Sequence, residues 1–245
     1  MEQPSNTIEL MSIMKEVHPV QASILRVLMF KPEARFSDLN TENISSDHFT
    51  FHVKKLLEME LIEKTDAGLY RLTRSGKEFT NRFDTDVKQI VLERQAKIGV
   101  SIVCTRERNG KTEYLIQQRL KQPYYGFYGF VTGKVRWGES VHETAARELK
   151  EETGFSATLK LAGIEHKMDY SEDGDLLEDK YFFIFKGTSA SGGLIEQFEG
   201  GRNEWFSREE IRKLEDVFGD LEEVLDVIIE GAFAFIERKF TVSKY

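Results

Sequence analysis

The chain is poor in cysteine and has no long apolar run, and each lack excludes a class of protein. Its 245 residues contain one cysteine, Cys104, so no disulfide can form within the chain. A lone thiol suits a reducing cytosol. No apolar stretch approaches the roughly 18 residues that a membrane span needs, and the N-terminus lacks a basic segment followed by an apolar one. We therefore expect a soluble, cytoplasmic protein that does not enter a membrane.

Basic residues are also in deficit. There are 34 Lys and Arg against 42 Asp and Glu, a net charge of −8, which argues against a protein coated with nucleic acid. The length is generous for one small α/β domain and comfortable for two. We predict one domain over residues 1–95 and a second over residues 96–245.

The most specific pattern in the chain runs from Gly133 to Phe155 and reads G-K-V-R-W-G-E-S-V-H-E-T-A-A-R-E-L-K-E-E-T-G-F. Ser140 and Glu143 form an S-x-x-E capping box, so a helix should begin just after Ser140. Gly154 stands where this helix should end. The stretch therefore predicts a loop followed by a capped helix of about 13 residues, or roughly 20 Å.

Three glutamates share one face of that helix. Glu148, Glu151 and Glu152 are spaced i, i+3 and i+4, so their like charges repel unless a cation lies among them. Mg²⁺ binds a few carboxylates together with substrate phosphates. The spacing therefore favours a divalent-metal site over an ordinary solvated helix face, which is what most charge runs are.

The whole stretch resembles the signature of the Nudix hydrolases, Gly-x5-Glu-x7-Arg-Glu-U-x-Glu-Glu-x-Gly-U, in which U is a bulky apolar residue. The resemblance implies an α/β/α sandwich with a mixed sheet and a Mg²⁺-dependent enzyme, Mn²⁺ being possible, that cleaves a nucleoside diphosphate linked to another group. The metal ligands that the resemblance implies are the Gly133 carbonyl, Glu148 and Glu152. Glu151 would share the metal or activate water. Glu139 and Arg147 would form a structural pair that holds the loop against the helix.

Other residues of this half are candidates for the same site. Arg119 ends a predicted strand, where family members carry a basic residue that reaches phosphate; a surface role is equally open. In K-Q-P-Y-Y-G-F-Y-G-F, Tyr128 and its aromatic neighbours could stack on a base. In the family, the loop before the last strand carries a glutamate that can complete the metal site or act as general base; Glu199 best occupies that position here, with Glu196 and Glu204 as alternatives. Val131-Thr132 departs from the Pro-Gly that many relatives carry before the metal-binding glycine.

The first domain reads as helices followed by a hairpin. Apolar periodicity predicts helices around Ile8 to Met14 and Ile24 to Leu28, a short one from Ser37, and a longer one after Ser45 or Ser46. Two short strands around Asp66-Ala67-Gly68 follow. This order is similar to that of a mostly α winged helix-turn-helix regulator.

If that domain binds double-stranded DNA, the fourth helix should enter the major groove. Phosphate and base contacts would then come from His48, Thr50, Phe51, Lys54, Lys55 and Arg71. Residues 1–95 hold 13 Lys and Arg against 15 Asp and Glu. Because DNA-binding domains carry a basic footprint, protein contact or dimerisation is the competing interpretation.

An apolar stripe from Phe79 to Val91 suggests a helical connection that forms core or a homodimer seam. Two functions from different classes fit these observations. One is a hydrolase acting on a nucleotide derivative, which we favour because the signature is complete. The other is a transcriptional regulator that senses such a nucleotide or ADP-ribose with weak or no hydrolysis. The family includes regulators that couple these two folds, but with the winged helix after the Nudix domain.

Overall fold

A computed structural model describes residues 17–81 and 95–245. The chain divides into two compact units, Met1–Arg94 and Gln95–Tyr245. The helix expected around Ile8 to Met14, and the part of the apolar stripe beyond Phe79, lie outside the described residues. None of the helices in the described ranges is long and apolar enough to cross a bilayer.

Unit 1 contains four helices and a short hairpin within its described part. The elements are α1 (Pro19–Phe30), α2 (Phe36–Leu39), α3 (Ser46–Glu58), β1 (Ile62–Lys64), β2 (Tyr70–Leu72) and α4 (Arg74–Thr80). Strands β1 and β2 are antiparallel, and a bridge from Ala34 to Tyr70 adds a third segment to the hairpin. Helix α4 directly after the hairpin was not expected as a separate element.

The apolar stripe of α3 packs inward and holds unit 1 together. Phe49, Val53 and Leu56 are almost fully buried and join Ile24 and Leu25 of α1 in one core. Burial of each such side chain stabilises the unit by roughly 1.5–3 kcal/mol. The opposite face of α3 is left in solvent, as the helical periodicity predicted.

Unit 2 is built on a nine-stranded mixed sheet with helices on both faces. Its strands are β3 (Lys97–Arg108), β4 (Lys111–Arg119), β5 (Tyr128–Gly129), β6 (Val131–Lys134), β7 (Ser156–Tyr170), β8 (Leu176–Ser191), β9 (Gln197–Phe198), β10 (Gly201–Ser207) and β11 (Ala234–Thr241). Its helices are α5 (Val141–Thr153), α6 (Arg208–Ile211) and α7 (Leu221–Glu230).

The strand order is β11-β7-β8-β3-β4-β10-β9, with β5 on β4 and β6 on β3. The pairs β3–β8 and β11–β7 are parallel and the others are antiparallel. Turn and cap chemistry sets much of this register. Asn109 and Gly110 both have positive φ in the two-residue turn that joins β3 to β4, which is the conformation that a tight hairpin turn of this type requires.

Alternate residues of β3 serve the two faces of the sheet. Val100 and Ile102 pack with Leu149 of α5, whereas Val103 packs with Val224 of α7. Such strands, buried on both faces, read as continuous apolar runs in sequence. Cys104 lies in the α5-side core, and its burial raises the pKa of the thiol to about 12, so it is an inert core residue.

Strands β7 and β8 have 15 and 16 residues and form a long antiparallel hairpin. The acidic run from Ser171 to Asp175 lies at its tip. Strand β11 was not predicted at all, because residues 234–241, A-F-I-E-R-K-F-T, do not alternate between apolar and polar side chains.

Candidate active site

Helix α5 begins and ends on the residues that its sequence specifies. The Ser140 Oγ accepts a hydrogen bond from the Glu143 backbone N–H at 3.2 Å, and the Glu143 carboxylate accepts one from the Ser140 N–H at 2.8 Å. Gly154, at φ 76°, closes the helix in the left-handed conformation. These contacts confirm the predicted capping box and the predicted end of the helix at Gly154. They fix both ends of the helix that carries the three glutamates.

Arg147 is the cation that lies among the acidic side chains. Its Nε donates to Glu139 at 2.7 Å, and its Nη1 donates to Glu148 at 2.6 Å and to Glu151 at 3.1 Å. A further bond from Nη2 to the carbonyl of Lys134 ties the preceding loop to the helix. The hydrogen bond from Arg147 lowers the pKa of Glu139 to about 2. Arg147 therefore offsets the repulsion that the i, i+3, i+4 carboxylates would otherwise suffer.

The three motif glutamates do not share one environment. Glu148 and Glu152 line a cavity of about 560 Å³, together with Gly133 of β6. Glu151 lies outside the cavity wall; its side chain is half exposed and pairs with Arg136 at 3.5 Å. The structure therefore brings together Glu148, Glu152 and Gly133 and leaves Glu151 at the edge.

Gly133 lies against Glu148 because it has no side chain. A Cβ at position 133 would be 2.0 Å from the Glu148 Cγ and 2.1 Å from its Cδ. Glu152 accepts a hydrogen bond from Gln117 Nε2 at 3.0 Å, and its burial raises the pKa of its carboxyl group. A half-buried carboxylate that has only a neutral amide as hydrogen-bond partner is poorly compensated.

These donors fit a divalent cation in chemistry but are not gathered around one point. Carboxylate oxygens and a backbone carbonyl are the ligands that Mg²⁺ prefers. Within residues 17–81 and 95–245, no group of three or more His, Cys, Asp or Glu side chains is positioned to hold a metal ion. The reason lies in their partners: Glu148 is held by Arg147 and Glu152 by Gln117.

Cationic side chains line the same cavity. Arg119 lies at the end of β4, where its guanidinium donates to the carbonyls of Gln122 and Pro123, and its burial lowers the pKa of the guanidinium. Lys97 and Lys121 also line the wall. A cavity of this size, with carboxylates and cations on the same walls, matches the usual dimensions of a ligand site and suits a phosphorylated ligand.

Two further candidates lie away from this cavity. Tyr128 does not line it; its ring packs against the core on the α7 side and meets Phe206 edge to face at 6.3 Å. Glu199 is exposed in the turn between β9 and β10 and is also outside the cavity wall. Of the aromatic segment, Tyr124 and Phe130 line the cavity, and both are almost fully buried.

Sequence reasoning missed several residues of the site. Asn203 is buried, and its Nδ2 donates at 2.8 Å to the carbonyls of Glu152 and Ile195, which fixes the end of α5 against β10. The cavity also contains charged side chains from β7, β8 and the start of α7, namely Glu165, Lys167, Asp169, Glu178, Lys180 and Asp220. The period-two spacing of charges at positions 165, 167 and 169 was the signal that could have found them.

The candidate DNA-binding residues all belong to unit 1. His48, Phe51, Lys54 and Lys55 are exposed on α3, with Phe51 at 54%. Thr50 donates its hydroxyl to the Ser46 carbonyl at 2.7 Å, so this hydroxyl is already engaged within the helix.

The cationic candidates of unit 1 are partly neutralised. Lys55 pairs with Glu58 at 2.8 Å, and Arg71 of the hairpin pairs with Glu63 at 2.6 Å. Both pairs are solvent-exposed, and exposed ion pairs of this kind are weak. Phosphate could therefore compete with the carboxylates for Lys55 and Arg71.

Comparison with known proteins identifies the family. The NUDIX domain family model matches residues 96–227. An uncharacterised Nudix hydrolase of Bacillus subtilis, YvcI, is 30% identical over 114 residues, which are 46% of this chain and 70% of that protein. Among solved structures, a MutT mutator protein from Bacillus halodurans is 25% identical with a TM-score of 0.51, over 61% of this chain and 93% of the other.

A second solved structure, the NUDIX domain of Shewanella oneidensis NrtR complexed with ADP ribose, has a TM-score of 0.50 over 65% of this chain and 98% of the other. It is 15% identical, so this likeness shows the fold alone. The family match spans more than half of the chain and contains the whole Gly133 to Phe155 motif. The chain therefore belongs to the Nudix family and is a Nudix-type hydrolase that acts on phosphoanhydride bonds.

Proposed function

We propose that the chain is a Mg²⁺-dependent pyrophosphohydrolase that cleaves a nucleoside diphosphate linked to another moiety. One observation carries the proposal: Glu148, Glu152 and Gly133 of the motif line the same cavity as Arg119, Lys97 and Lys121. The carboxylates suit a hard cation and the cationic side chains suit phosphate oxygens. A pyrophosphate needs both.

Glu148, Glu152 and the Gly133 carbonyl would hold the metal, with Glu151 as a further ligand or as the residue that activates water. A bound Mg²⁺ lowers the pKa of coordinated water and neutralises charge on the leaving phosphate; Mn²⁺ would serve the same roles. Arg147 donates to Glu139 through Nε and Nη2 as well as to Glu148 through Nη1, so the loop would stay in place if Glu148 turned from Arg147 towards the metal.

The remaining side chains position the substrate. Arg119 is anchored by loop carbonyls, so its guanidinium is preorganised to orient a phosphate. Gln117 and Asn203 hold the Glu152 side chain and its backbone carbonyl. Of the two bases suggested by the sequence, Glu151 lies one helical turn from Glu148, whereas Glu199 lies in an exposed turn outside the cavity.

The test is Glu152→Gln, which keeps the shape of the side chain and removes its charge. We expect turnover to fall by orders of magnitude while thermal unfolding stays close to that of the wild type. Glu230→Gln, at the exposed end of α7, is the matched control and should keep full activity. Equal Mg²⁺-dependent turnover in the Glu152 variant would show that the motif is not the active site.

The substrate panel should contain nucleotide sugars, dinucleotides, oxidised nucleotides and ADP-ribose, with phosphate release measured with and without Mg²⁺. ADP-ribose is included because the Shewanella NUDIX domain was crystallised with it. Cleavage of one class well above the others would identify the substrate.

A second function, DNA binding by a winged helix in a nucleotide-sensing regulator, is favoured by one specific observation. Helix α3 presents His48, Phe51, Lys54 and Lys55 to solvent directly before the β1–β2 hairpin. This order, helix then hairpin, is that of a recognition helix and its wing. Hydrolysis and DNA binding could coexist in such a chain.

Binding of the full chain to DNA from upstream of its own coding sequence, measured across a salt series, tests this function. Phosphate contacts release counterions, so affinity should fall as salt rises, and Lys54→Glu should weaken binding and flatten the slope. Undetectable or salt-insensitive binding would remove the regulatory hypothesis. The homodimer proposal that accompanies it would fail if light scattering gave a monomer mass at working concentration.

A further inference from the structure

Strand β11 forms an open edge of the unit 2 sheet. It pairs in parallel with β7 along its whole length, Ala234–Thr241, and no strand in the described part of the chain pairs with its other side. A strand in this position presents a row of unpaired backbone N–H and C=O groups to which a further strand can bind. The opposite edge of the sheet is different, since it ends in β9, which has only two residues.

Most of the features that protect an edge strand are missing from β11. Such strands are commonly short, or they carry a proline, a bulge or charged side chains. Strand β11 has eight residues, contains no proline and keeps a continuous register with β7. Phe235 in the strand and Phe233 just before it are each 60% exposed. The charged side chains are therefore the remaining protection against pairing with another chain.

The charged side chains of β11 alternate between the two faces of the sheet. Ile236 is buried in the core on the α7 side, and Arg238 donates to Glu223 of α7 at 2.6 Å, so the even-numbered residues face α7. Glu237 and Lys239 therefore lie on the opposite face. This face of β11 carries one charge of each sign, two residues apart.

A twofold axis perpendicular to the sheet restricts how two copies of β11 can pair. Such an axis makes the two strands antiparallel and keeps each side chain on its own face, so the register must be centred on one residue. With Arg238 at the centre, Glu237 of each copy lies directly opposite Lys239 of the other copy. Opposite charges in this position stabilise a strand pair, and the symmetry produces the pair twice.

The neighbouring registers lack this complementarity. Centring the pair on Glu237 or on Lys239 would place like charges directly opposite each other, which destabilises paired strands. Centring it on Ile236 would place the Glu237 carboxylate opposite the ring of Phe235. Registers centred nearer to either end of the strand pair fewer residues.

The α7 face is compatible with the register centred on Arg238. The two Arg238 side chains meet at the axis, but each is already paired with Glu223 of its own copy at 2.6 Å, which offsets their repulsion. On the same face, Ile236 of each copy lies opposite Phe240 of the other, an apolar pair. Both faces of the strand thus complement a second copy of the same strand.

We propose that unit 2 forms a twofold dimer in which β11 pairs with β11 of a second copy, antiparallel and centred on Arg238. This surface differs from the seam that the apolar stripe from Phe79 to Val91 suggests, and it requires neither hydrolysis nor DNA binding. Residues 235–241 pair on each side, fewer than the roughly 20–30 residues a side of a standard interface. Dimer formation should therefore depend on protein concentration.

Cysteine cross-linking of the full chain tests the register directly. In Arg238→Cys the two thiols would meet at the axis, where opposite Cα atoms are about 4.5–5.5 Å apart. A disulfide spans Cα distances of about 4.4–6.8 Å, so mild oxidation should give a covalent dimer on a non-reducing gel. The wild type should give none, because its single thiol, Cys104, is buried.

Glu237→Cys is the matched control for the register. Two cysteines at position 237 would be diagonal neighbours about 7–8 Å apart, which is too far for a disulfide. This variant should not cross-link, whereas Glu237→Cys combined with Lys239→Cys should, because these positions lie directly opposite. Failure of Arg238→Cys to cross-link, or equal cross-linking of Glu237→Cys alone, would overturn the proposal.

Charge reversal tests the same pairs without a covalent bond. Lys239→Glu places two carboxylates opposite each other at both symmetric positions, so the dissociation constant from sedimentation over a concentration series should rise roughly tenfold or more. Adding Glu237→Lys restores opposite charges in reversed order and should restore the affinity. Thermal unfolding of each variant checks that the fold is kept. A chain that stays monomeric at every concentration, or a dimer that Lys239→Glu leaves unchanged, would refute the assignment.

Discussion

Replacing Gly133 by alanine should remove activity while leaving the fold nearly intact. The added Cβ would lie 2.0 Å from the Glu148 Cγ, whereas carbon atoms in favourable contact are about 3.5–4.0 Å apart. Glu148 must therefore retreat by about 1.5 Å, the difference between these distances. Position 133 does not have the positive φ that would strain an alanine, so the backbone can remain in place.

Gly133→Ala should affect stability much less than it affects turnover. A retreat of this size moves Glu148 to another rotamer and away from Arg147. A hydrogen bond to a charged group contributes about 1.5–3 kcal/mol, so the free energy of unfolding should fall by no more than about that amount. A misplacement of about 1 Å in a catalytic group can reduce turnover by about 100-fold. We therefore expect kcat to fall by about two orders of magnitude.

The assay is Mg²⁺-dependent phosphate release from the substrate found in the panel, paired with urea unfolding of the same preparation. Gly193→Ala is the control, because a Cβ there meets nothing within 4 Å. Full activity in Gly133→Ala would refute the argument that Glu148 needs its present position. A large drop in unfolding free energy would show that the loop, not the carboxylate, absorbs the clash.

The other predictions concern stability. Burial opposes a charged His166, but its hydrogen bonds to Glu237 and Asp179 outweigh this and raise its pKa. Its contribution should be complete below about pH 6.5 and be lost as pH rises through the folded-state pKa; His166→Gln should flatten urea midpoints over that range. Asn203→Ala strips partners from a buried amide and should cost roughly 1–3 kcal/mol in urea unfolding and lower turnover through Glu152. Phe49→Ala should cost about 3–5 kcal/mol in the unfolding of unit 1, and an unchanged urea midpoint would contradict its core position.

Much of the site could be predicted because its signals are local. The capping box at Ser140 and Glu143, the stop at Gly154 and the i, i+3, i+4 spacing of the glutamates all depend on residues within one helix. The Asn109-Gly110 turn is local in the same way. Such patterns hold in sequence because backbone geometry alone relates their members.

The part that could not be predicted depends on contacts between distant segments. Whether Glu151 or Glu152 faces the cavity is decided by Gln117 and Asn203, which are 35 and 51 residues away from Glu152. Tyr128 and Tyr124 are nearly adjacent in an aromatic run, yet only Tyr124 lines the cavity. Sequence spacing alone does not show which way such side chains turn.

The sequence by itself determined the family, the helix that carries the motif glutamates and the division of the chain into two parts near residue 95. Tertiary structure alone decided that the charges on β7 and β8 line the same cavity as the motif. The physical reason is burial: the pKa of a carboxyl group such as that of Glu165 is raised only when folding removes water from it and places the negative charge of Asp220 nearby.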